Sequence, residues 1–200
     1  MTNSIEKLSE LFEKFPGVGK RQAKRFVYFL LRKNSGYSKD ISDAILSLKK
    51  NIRLCEESFQ FFYSERGDTL SPIARDENRN NSKLMIVEKD SDLENIERMG
   101  VYSGKYFVLG GSIPVLSKEP TQYIREAELL RIIEKKKENL KEIILALSVN
   151  PQGENTLEYL QKILEKFNIK ISILGRGLST GTELEYSDKD TFLSAFDNRR

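Results

Sequence analysis

The stretch Lys83-Leu84-Met85-Ile86-Val87-Glu88 decides the fold of this 200-residue chain. Four consecutive apolar residues follow a lysine and end at a carboxylate, with no alternation of polar and apolar side chains. A short continuous apolar run of this kind is typical of a strand that is buried on both faces, as in a parallel sheet. We therefore predict that this stretch is one strand of an α/β layer.

Strand and helix patterns alternate on the carboxyl side of this stretch. Three further apolar runs predict strands at 106–109, 142–147 and 170–174. Helices are predicted between the strands, first a short one opened by the capping-box pattern Ser91-Asp92-Leu93-Glu94, then two over about 121–139 and 153–167. Alternation at this spacing predicts a mostly parallel sheet with right-handed crossovers over about 80–177. A final helix is predicted over about 187–198.

The first 54 residues have a different pattern, which predicts helices throughout. Apolar residues recur at helical spacing over about 4–14, 20–33 and 39–54. The predicted inward face of the third helix consists of Ile41, Ala44, Ile45, Leu48 and Ile52. Between the first two helices stands Phe15-Pro16-Gly17-Val18-Gly19, a turn pattern that ends one helix and begins the next.

The basic segment after that turn is the strongest functional signal. Its glycines permit positive φ and leave backbone N–H groups at a helix N-terminus open to a phosphate. Residues 20–33 contain no acid and six basic residues, Lys20, Arg21, Lys24, Arg25, Arg32 and Lys33. This helix-hairpin-helix pattern predicts contact with the DNA backbone without base readout. The predicted DNA-binding residues are Gly17, Gly19, Lys20, Arg21, Lys24 and Arg25. A plain turn whose glycines only permit close packing is the alternative.

The distribution of charge favours a polyanion-binding module attached to a larger body, with a solvated charged surface as the alternative. Residues 1–55 hold 12 Lys and Arg against 5 Asp and Glu, although the whole chain has a net charge of only +3. The chain has no histidine, which excludes Ser-His-Asp and Cys-His nucleophiles and every zinc site with a histidine ligand. A single cysteine, no secretory pattern and no apolar run near about 18 residues predict a cytoplasmic protein.

These motifs together resemble the RecR family of bacterial recombination mediators. The likeness begins at Leu11-Phe12-x-x-Phe15-Pro16-Gly17-Val18-Gly19-Lys20-x-x-Ala23-x-Arg25 and continues in one order along essentially the whole chain. Further matching segments are Arg75-Asp76, Ile86-Val87-Glu88, Tyr102-Ser103-Gly104-Lys105-Tyr106, Gly110-Gly111, Gly153-Glu154 and Leu184-Glu185-Tyr186.

The resemblance implies four regions and an assembly. These are a helix-hairpin-helix DNA-binding region (1–54), a zinc finger (55–78), a Toprim domain (79–177) and a C-terminal Walker-B-like segment with an assembly helix (178–200). It also implies a homo-dimer or homo-tetramer ring. Because no Walker A loop is present, we expect the C-terminal segment to serve structure or assembly rather than nucleotide binding.

The resemblance further implies a non-enzymatic DNA clamp in recombinational DNA repair, acting with RecO-like and RecF-like proteins to promote recombinase loading. The acids of the Toprim domain are implied to dock a partner, chiefly RecO, and their positions carry over to Glu88, Asp92 and Glu154. No residue is assigned a catalytic role.

An Mg²⁺-dependent Toprim nuclease or primase-like enzyme is the alternative, in which the same acids would hold the metal. RecR-like chains usually have Glu-Gly-Glu where this chain has Gln152-Gly153-Glu154. The loss of one carboxylate weakens a site for a cation that demands near-octahedral oxygen ligands. Ordinary polar residues at strand ends are a third interpretation of these acids.

The zinc finger implied by the resemblance falls on Leu54 to Glu77, LCEESFQFFYSERGDTLSPIARDE. The family spacing C-x₂-C-x₈-C-x₂-C falls on Cys55, Ser58, Gly67 and Leu70, so three of the four ligands are missing. One thiolate without a histidine cannot complete a tetrahedral zinc site, and we expect no zinc and no other cofactor. A hydrophobic mini-core is expected to replace the metal, formed by Phe59, Phe61, Phe62, Tyr63 and Leu70.

Overall fold

A computed structural model describes residues 3–174 of the chain. The chain divides into two compact units, Met1–Ile52 and the remainder from Arg53. The predicted C-terminal helix and the Walker-B-like segment lie outside the described residues. Within the described part of the chain, no helix is both long and apolar enough to cross a membrane.

The first unit contains three helices, α1 (Ser4–Glu13), α2 (Lys20–Leu31) and α3 (Ser35–Asn51). The helix pair α1 and α2 is held together by apolar contacts. The ring of Phe12 lies 5.7 Å from that of Phe26 in an edge-to-face arrangement, and Ala23 is fully buried. This pair confirms the predicted helix-hairpin-helix architecture.

Helix α3 differs from its predicted pattern. The side chain of Asn34 caps it by accepting a hydrogen bond from the N–H of Tyr37 at 2.9 Å, so the helix begins earlier than expected. It ends at Asn51, and the prediction of helix as far as residue 54 is wrong. Most of the predicted inward face is exposed in the single chain, with Ile45 57% and Leu48 60% accessible, whereas Ile41 and Ile52 are half-buried. A helical period identifies an apolar face but not what covers it.

As far as residue 174, the second unit is built on a parallel sheet of four strands. Its strands are β3 (Asn80–Val87), β4 (Gly104–Val108), β5 (Glu142–Ala146) and β6 (Lys170–Ile173), and they lie side by side in the order β4-β3-β5-β6. This arrangement confirms the predicted α/β fold. Every strand end lies within three residues of its predicted position.

Three helices cover the two faces of the sheet: α5 (Asp90–Met99), α6 (Glu126–Lys136) and α7 (Pro151–Leu164). Alternate residues of β3 face opposite sides, as its pleat requires. One side packs Leu84 and Ile86 against residues of α6 and α7, and the other packs Met85 and Val87 against Leu93 of α5. Both faces of the sheet are therefore buried.

Two helix starts and one helix length need correction. Helix α5 begins one residue before the predicted capping box, because Asp92 accepts a hydrogen bond from the N–H of Lys89 at 3.0 Å. The helix predicted over 121–139 is replaced by a 3₁₀ turn at Pro120–Gln122 and the shorter α6. Helix α7 begins at Pro151, two residues before its predicted start.

The segment after α3 forms a two-stranded sheet of β1 (Ile52–Leu54) and β2 (Phe61–Tyr63), followed by the short helix α4 (Pro72–Arg75). The expected mini-core is wrong. Phe61 and Tyr63 are 57% and 58% exposed, and only Phe59 and Phe62 of the predicted set are buried. The ring of Phe59 belongs to the large core of the α/β unit and lies 5.3 Å from that of Phe107.

Candidate nucleic-acid interface and the carboxyl edge of the sheet

The turn between α1 and α2 leaves the start of α2 open. Gly17 has a φ of +76°, a conformation that favours glycine, and the N–H of Val18 donates to the carbonyl of Phe15 at 3.1 Å. Gly19 is the N-cap of α2 and has no side chain, and no side-chain hydrogen bond caps this helix. The first N–H groups of α2 and the positive end of its dipole are therefore available to an anion.

The predicted basic residues surround this helix start. The side chains of Lys20, Arg21, Lys24 and Arg25 are all exposed and lie in the first two turns of α2. Two of the pairs, 20 with 24 and 21 with 25, are like charges four residues apart, which destabilise a helix by roughly 0.2–0.5 kcal/mol each. A bound polyanion removes this repulsion, so the arrangement suits phosphate binding better than it suits helix stability.

Glu88 follows β3 at the carboxyl edge of the sheet, but its side chain is only 2% exposed. One carboxylate oxygen accepts a hydrogen bond from the N–H of Ser148 at 2.9 Å, and the other accepts from the Ser148 hydroxyl at 2.8 Å. Both oxygens are thus engaged by the turn after β5. Glu88 therefore presents almost no carboxylate surface to a partner or a metal ion, whereas the resemblance implied that it docks a partner.

Gly153 lies where α7 approaches that turn. Its N–H donates to the side chain of the N-cap residue Asn150 at 2.8 Å. A Cβ at this position would lie 1.9 Å from the carbonyl oxygen of Ser148 and 3.2 Å from a carboxylate oxygen of Glu88. Only glycine permits this approach, so the glycine of the Gln152-Gly153-Glu154 segment is required by packing.

The other predicted acids lie closer to the surface. Asp92 is half-buried and caps α5. Glu154 is half-buried in the first turn of α7, beside the exposed Gln152. Among the described residues, no three His, Cys, Asp or Glu side chains form a group that could hold a metal ion. Partner docking by these acids stays a prediction.

The four finger positions do not supply a zinc site. Cys55 is fully buried, and its sulfur accepts hydrogen bonds from the N–H groups of Ser58 at 3.5 Å and Ser71 at 3.3 Å. Burial raises the pKa of the Cys55 thiol, but these hydrogen bonds hold it below its ordinary value of 9.0. The other three positions offer a hydroxyl, a glycine and a half-buried leucine, which cannot complete a set of nitrogen and sulfur ligands.

Sequence reasoning missed three residues that hydrogen-bond to partners far away in the sequence. Ser148 gave no signal, since a serine after a strand is common in a turn. Lys105 did give one, because it stands inside the buried strand β4, where a lysine needs hydrogen-bond partners. Arg125, which precedes α6, was also missed.

An ion pair between Glu57 and Lys136 predicts a pH effect. Their closest atoms lie 2.6 Å apart. Burial raises the pKa of Glu57, but the hydrogen bond and the charge of Lys136 lower it by more. The pKa of Glu57 therefore lies below the ordinary value of 4.5. The pair therefore stabilises the fold above pH 4.5, and this contribution is lost as the pH falls through the lowered pKa.

The measurement is urea unfolding of the wild-type protein and of Glu57→Gln at several pH values. We expect the wild-type protein to be the more stable at neutral pH, with a difference that shrinks as the pH falls below 4.5. A difference that stays constant over this range would contradict the assignment.

The two units define a class of protein in which one chain contains a helix-hairpin-helix module and a Toprim-type parallel sheet. The family model described as "RecR, helix-hairpin-helix" matches residues 5–48, and the one described as "Toprim domain" matches residues 82–175.

Relatives named "Recombination protein RecR" match along nearly their whole length. The protein of Ligilactobacillus salivarius is 31% identical over 98% of this chain and 96% of its own. That of Dehalococcoides mccartyi is 34% identical over 98% of this chain and 94% of its own. That of Syntrophotalea carbinolica is 32% identical over 100% of this chain and 97% of its own. The chain belongs to the RecR family.

Proposed function

We propose that this chain is a non-enzymatic DNA-binding clamp in recombinational DNA repair, which acts with RecO-like and RecF-like proteins to promote recombinase loading. The observation that carries the proposal is the uncapped start of α2, surrounded by four exposed basic residues. Backbone N–H groups and long cationic side chains grip phosphates whatever the base sequence. A mediator that must act wherever DNA is damaged needs this kind of binding.

The carboxyl edge of the sheet supports a binding role rather than catalysis. A Toprim enzyme needs carboxylates that can hold Mg²⁺. Here both carboxylate oxygens of Glu88 accept hydrogen bonds from Ser148. The position where RecR-like chains usually have a second glutamate is occupied by the amide side chain of Gln152. The accessible acids of this edge, Asp92 and Glu154, are the proposed contacts of a RecO-like protein.

Assembly into a dimer or tetramer is supported by the exposed apolar face of α3. Ile45, Leu46 and Leu48 are between 57% and 66% exposed. Large apolar side chains that cluster at the surface of a single chain mark an interface. A second copy of this chain is the proposed occupant.

The test is mass measurement in solution, with and without a gapped circular duplex in the presence of Mg²⁺. We expect an oligomer that binds the circle and leaves its strands intact. Leu48→Glu is expected to lower the mass, because it places a charge in the interface, whereas Ser47→Glu, at an exposed position on the side of the same helix away from Ile45, should not. If the protein is a monomer under both conditions, the proposed assembly is overturned. If the DNA circle is cut, the non-enzymatic assignment is overturned.

A further inference from the structure

Residues 55–78, here called the finger segment, keep the length of a zinc finger but only one of its four cysteine ligands. We propose that the finger segment is a metal-independent element, held in place by three basic side chains of the α/β layer: Lys105, Arg125 and Lys136. The inference does not depend on the DNA-binding role, since it concerns only contacts within the second unit.

Lys105 binds the end of helix α4. Lys105 is a residue of β4 and is only 7% exposed. The Nζ atom donates to the carbonyl oxygens of Ala74 and Asp76, both at 2.8 Å, and approaches that of Ile73 at 3.5 Å. Carbonyls at the end of a helix have no partner inside the helix, and a cation is their best substitute. The ammonium group therefore fixes the carboxyl half of the finger segment to the sheet.

Arg125 binds the amino half. One guanidinium nitrogen donates to the carbonyl of Phe59 at 2.7 Å and to that of Val108 at 3.0 Å, which joins the finger segment to β4. The N–H of Val108 also donates to the carbonyl of Ser58 at 2.8 Å. Phe59 has a φ of +54°, a strained conformation for a residue with a Cβ, so its surroundings must hold it there.

Lys136 supplies the third connection. It lies in the last turn of α6 and forms an ion pair with Glu57 of the finger segment at 2.6 Å. Lys135 also pairs with the Glu57 carboxylate, at 3.8 Å. The side chains of Glu57 and Lys136 are each 23% exposed, so solvent screens this pair less than it would a pair at the surface.

Cys55 joins the two halves internally. Zinc in a four-cysteine finger would link the first pair of ligands to the second pair across the intervening loop. Here the sulfur accepts one N–H from Ser58 and one from Ser71, which immediately follows the fourth ligand position. The thiol therefore makes the cross-loop connection by hydrogen bonds, and the three basic residues provide the external anchorage.

The test uses Cys55 as its own reporter in the full-length protein. Because it is the only cysteine and is fully buried, a thiol reagent such as DTNB reacts with it only when the finger segment opens. We expect protein purified without chelator to contain far less than one zinc per chain, and EDTA to leave the labelling rate unchanged. Lys105→Met and Arg125→Met are each expected to raise that rate by about tenfold to a hundredfold, since each removes the charged hydrogen bonds that join carbonyls of the finger segment to the sheet.

Lys118→Met is the matched control, because Lys118 is exposed and the substitution removes the same single positive charge. If either buried variant fails to fold, Glu57→Gln provides a milder break of the third connection and should raise the labelling rate several-fold. One zinc per chain, faster labelling in EDTA, or variants that label no faster than Lys118→Met would each overturn the proposal. None of these results bears on DNA binding, so they are distinguishable from a failure of the clamp function.

Discussion

Replacing Arg21 and Arg25 together with alanine is expected to weaken binding to duplex DNA by about 10- to 100-fold at about 0.1 M salt. Both side chains are exposed beside the uncapped start of α2. A phosphate contact on duplex DNA releases about 0.9 counterion, which makes each contact strongly dependent on salt. The slope of log K against log salt should therefore become shallower by about one to two units, with no change in sequence preference.

The control removes the same charge elsewhere in the first unit. Lys7 and Lys39 are exposed on α1 and α3, away from the turn, and Lys7→Ala with Lys39→Ala should change the slope much less. Fluorescence anisotropy across a salt series measures both quantities. A slope that is unchanged in the arginine variant, or equally changed in the control, would show that general charge rather than the hairpin binds DNA.

Replacing Gly153 with alanine is expected to destabilise the second unit by about 1–3 kcal/mol or more. The added methyl group would lie 1.9 Å from the Ser148 carbonyl oxygen, and backbone cannot yield as the end of a flexible side chain can. Relief requires α7 and the turn after β5 to move apart, and a movement of the turn would break the hydrogen bonds between Ser148 and Glu88. At about 2–4 °C per kcal/mol for a chain of this size, thermal unfolding should occur several degrees lower.

Gly36→Ala is the matched control, because Gly36 also lies in the first turn of a helix. A Cβ there would have only an ordinary contact of 3.4 Å with the side chain of Asn34, so the change should be neutral or slightly stabilising. Differential scanning calorimetry of the two variants compares them directly. Equal melting temperatures would mean that the turn after β5 adapts to the methyl group.

Much of the fold could be predicted because its signals are local. The strands of the sheet are continuous apolar runs, and the turn at Gly17 and Gly19 has a composition found in few other contexts. The prediction of a mini-core was wrong for a local reason that could have been recognised in the sequence. Consecutive strand residues point to opposite faces, so Phe61 and Tyr63 cannot share one small core with Phe62 unless both faces of the strand are covered.

The remaining features depend on partners that are distant in the sequence. The hydrogen bonds of Glu88 to Ser148 span 60 residues, and that of Arg125 to the carbonyl of Phe59 spans 66. Backbone carbonyls carry no residue identity, so nothing in the sequence marks them as partners of Lys105 or Arg125. The exposed face of α3 was unpredictable for a related reason: periodicity records that a face is apolar, and burial depends on what packs against it.

The buried sulfur of Cys55 also determines the redox behaviour of the protein. It is the only thiol in the chain, and in the folded state it has no accessible surface. Disulfide exchange requires a thiolate that can reach its target. The folded protein therefore offers no thiol for covalent cross-linking to another chain, whether the surroundings are reducing or oxidising.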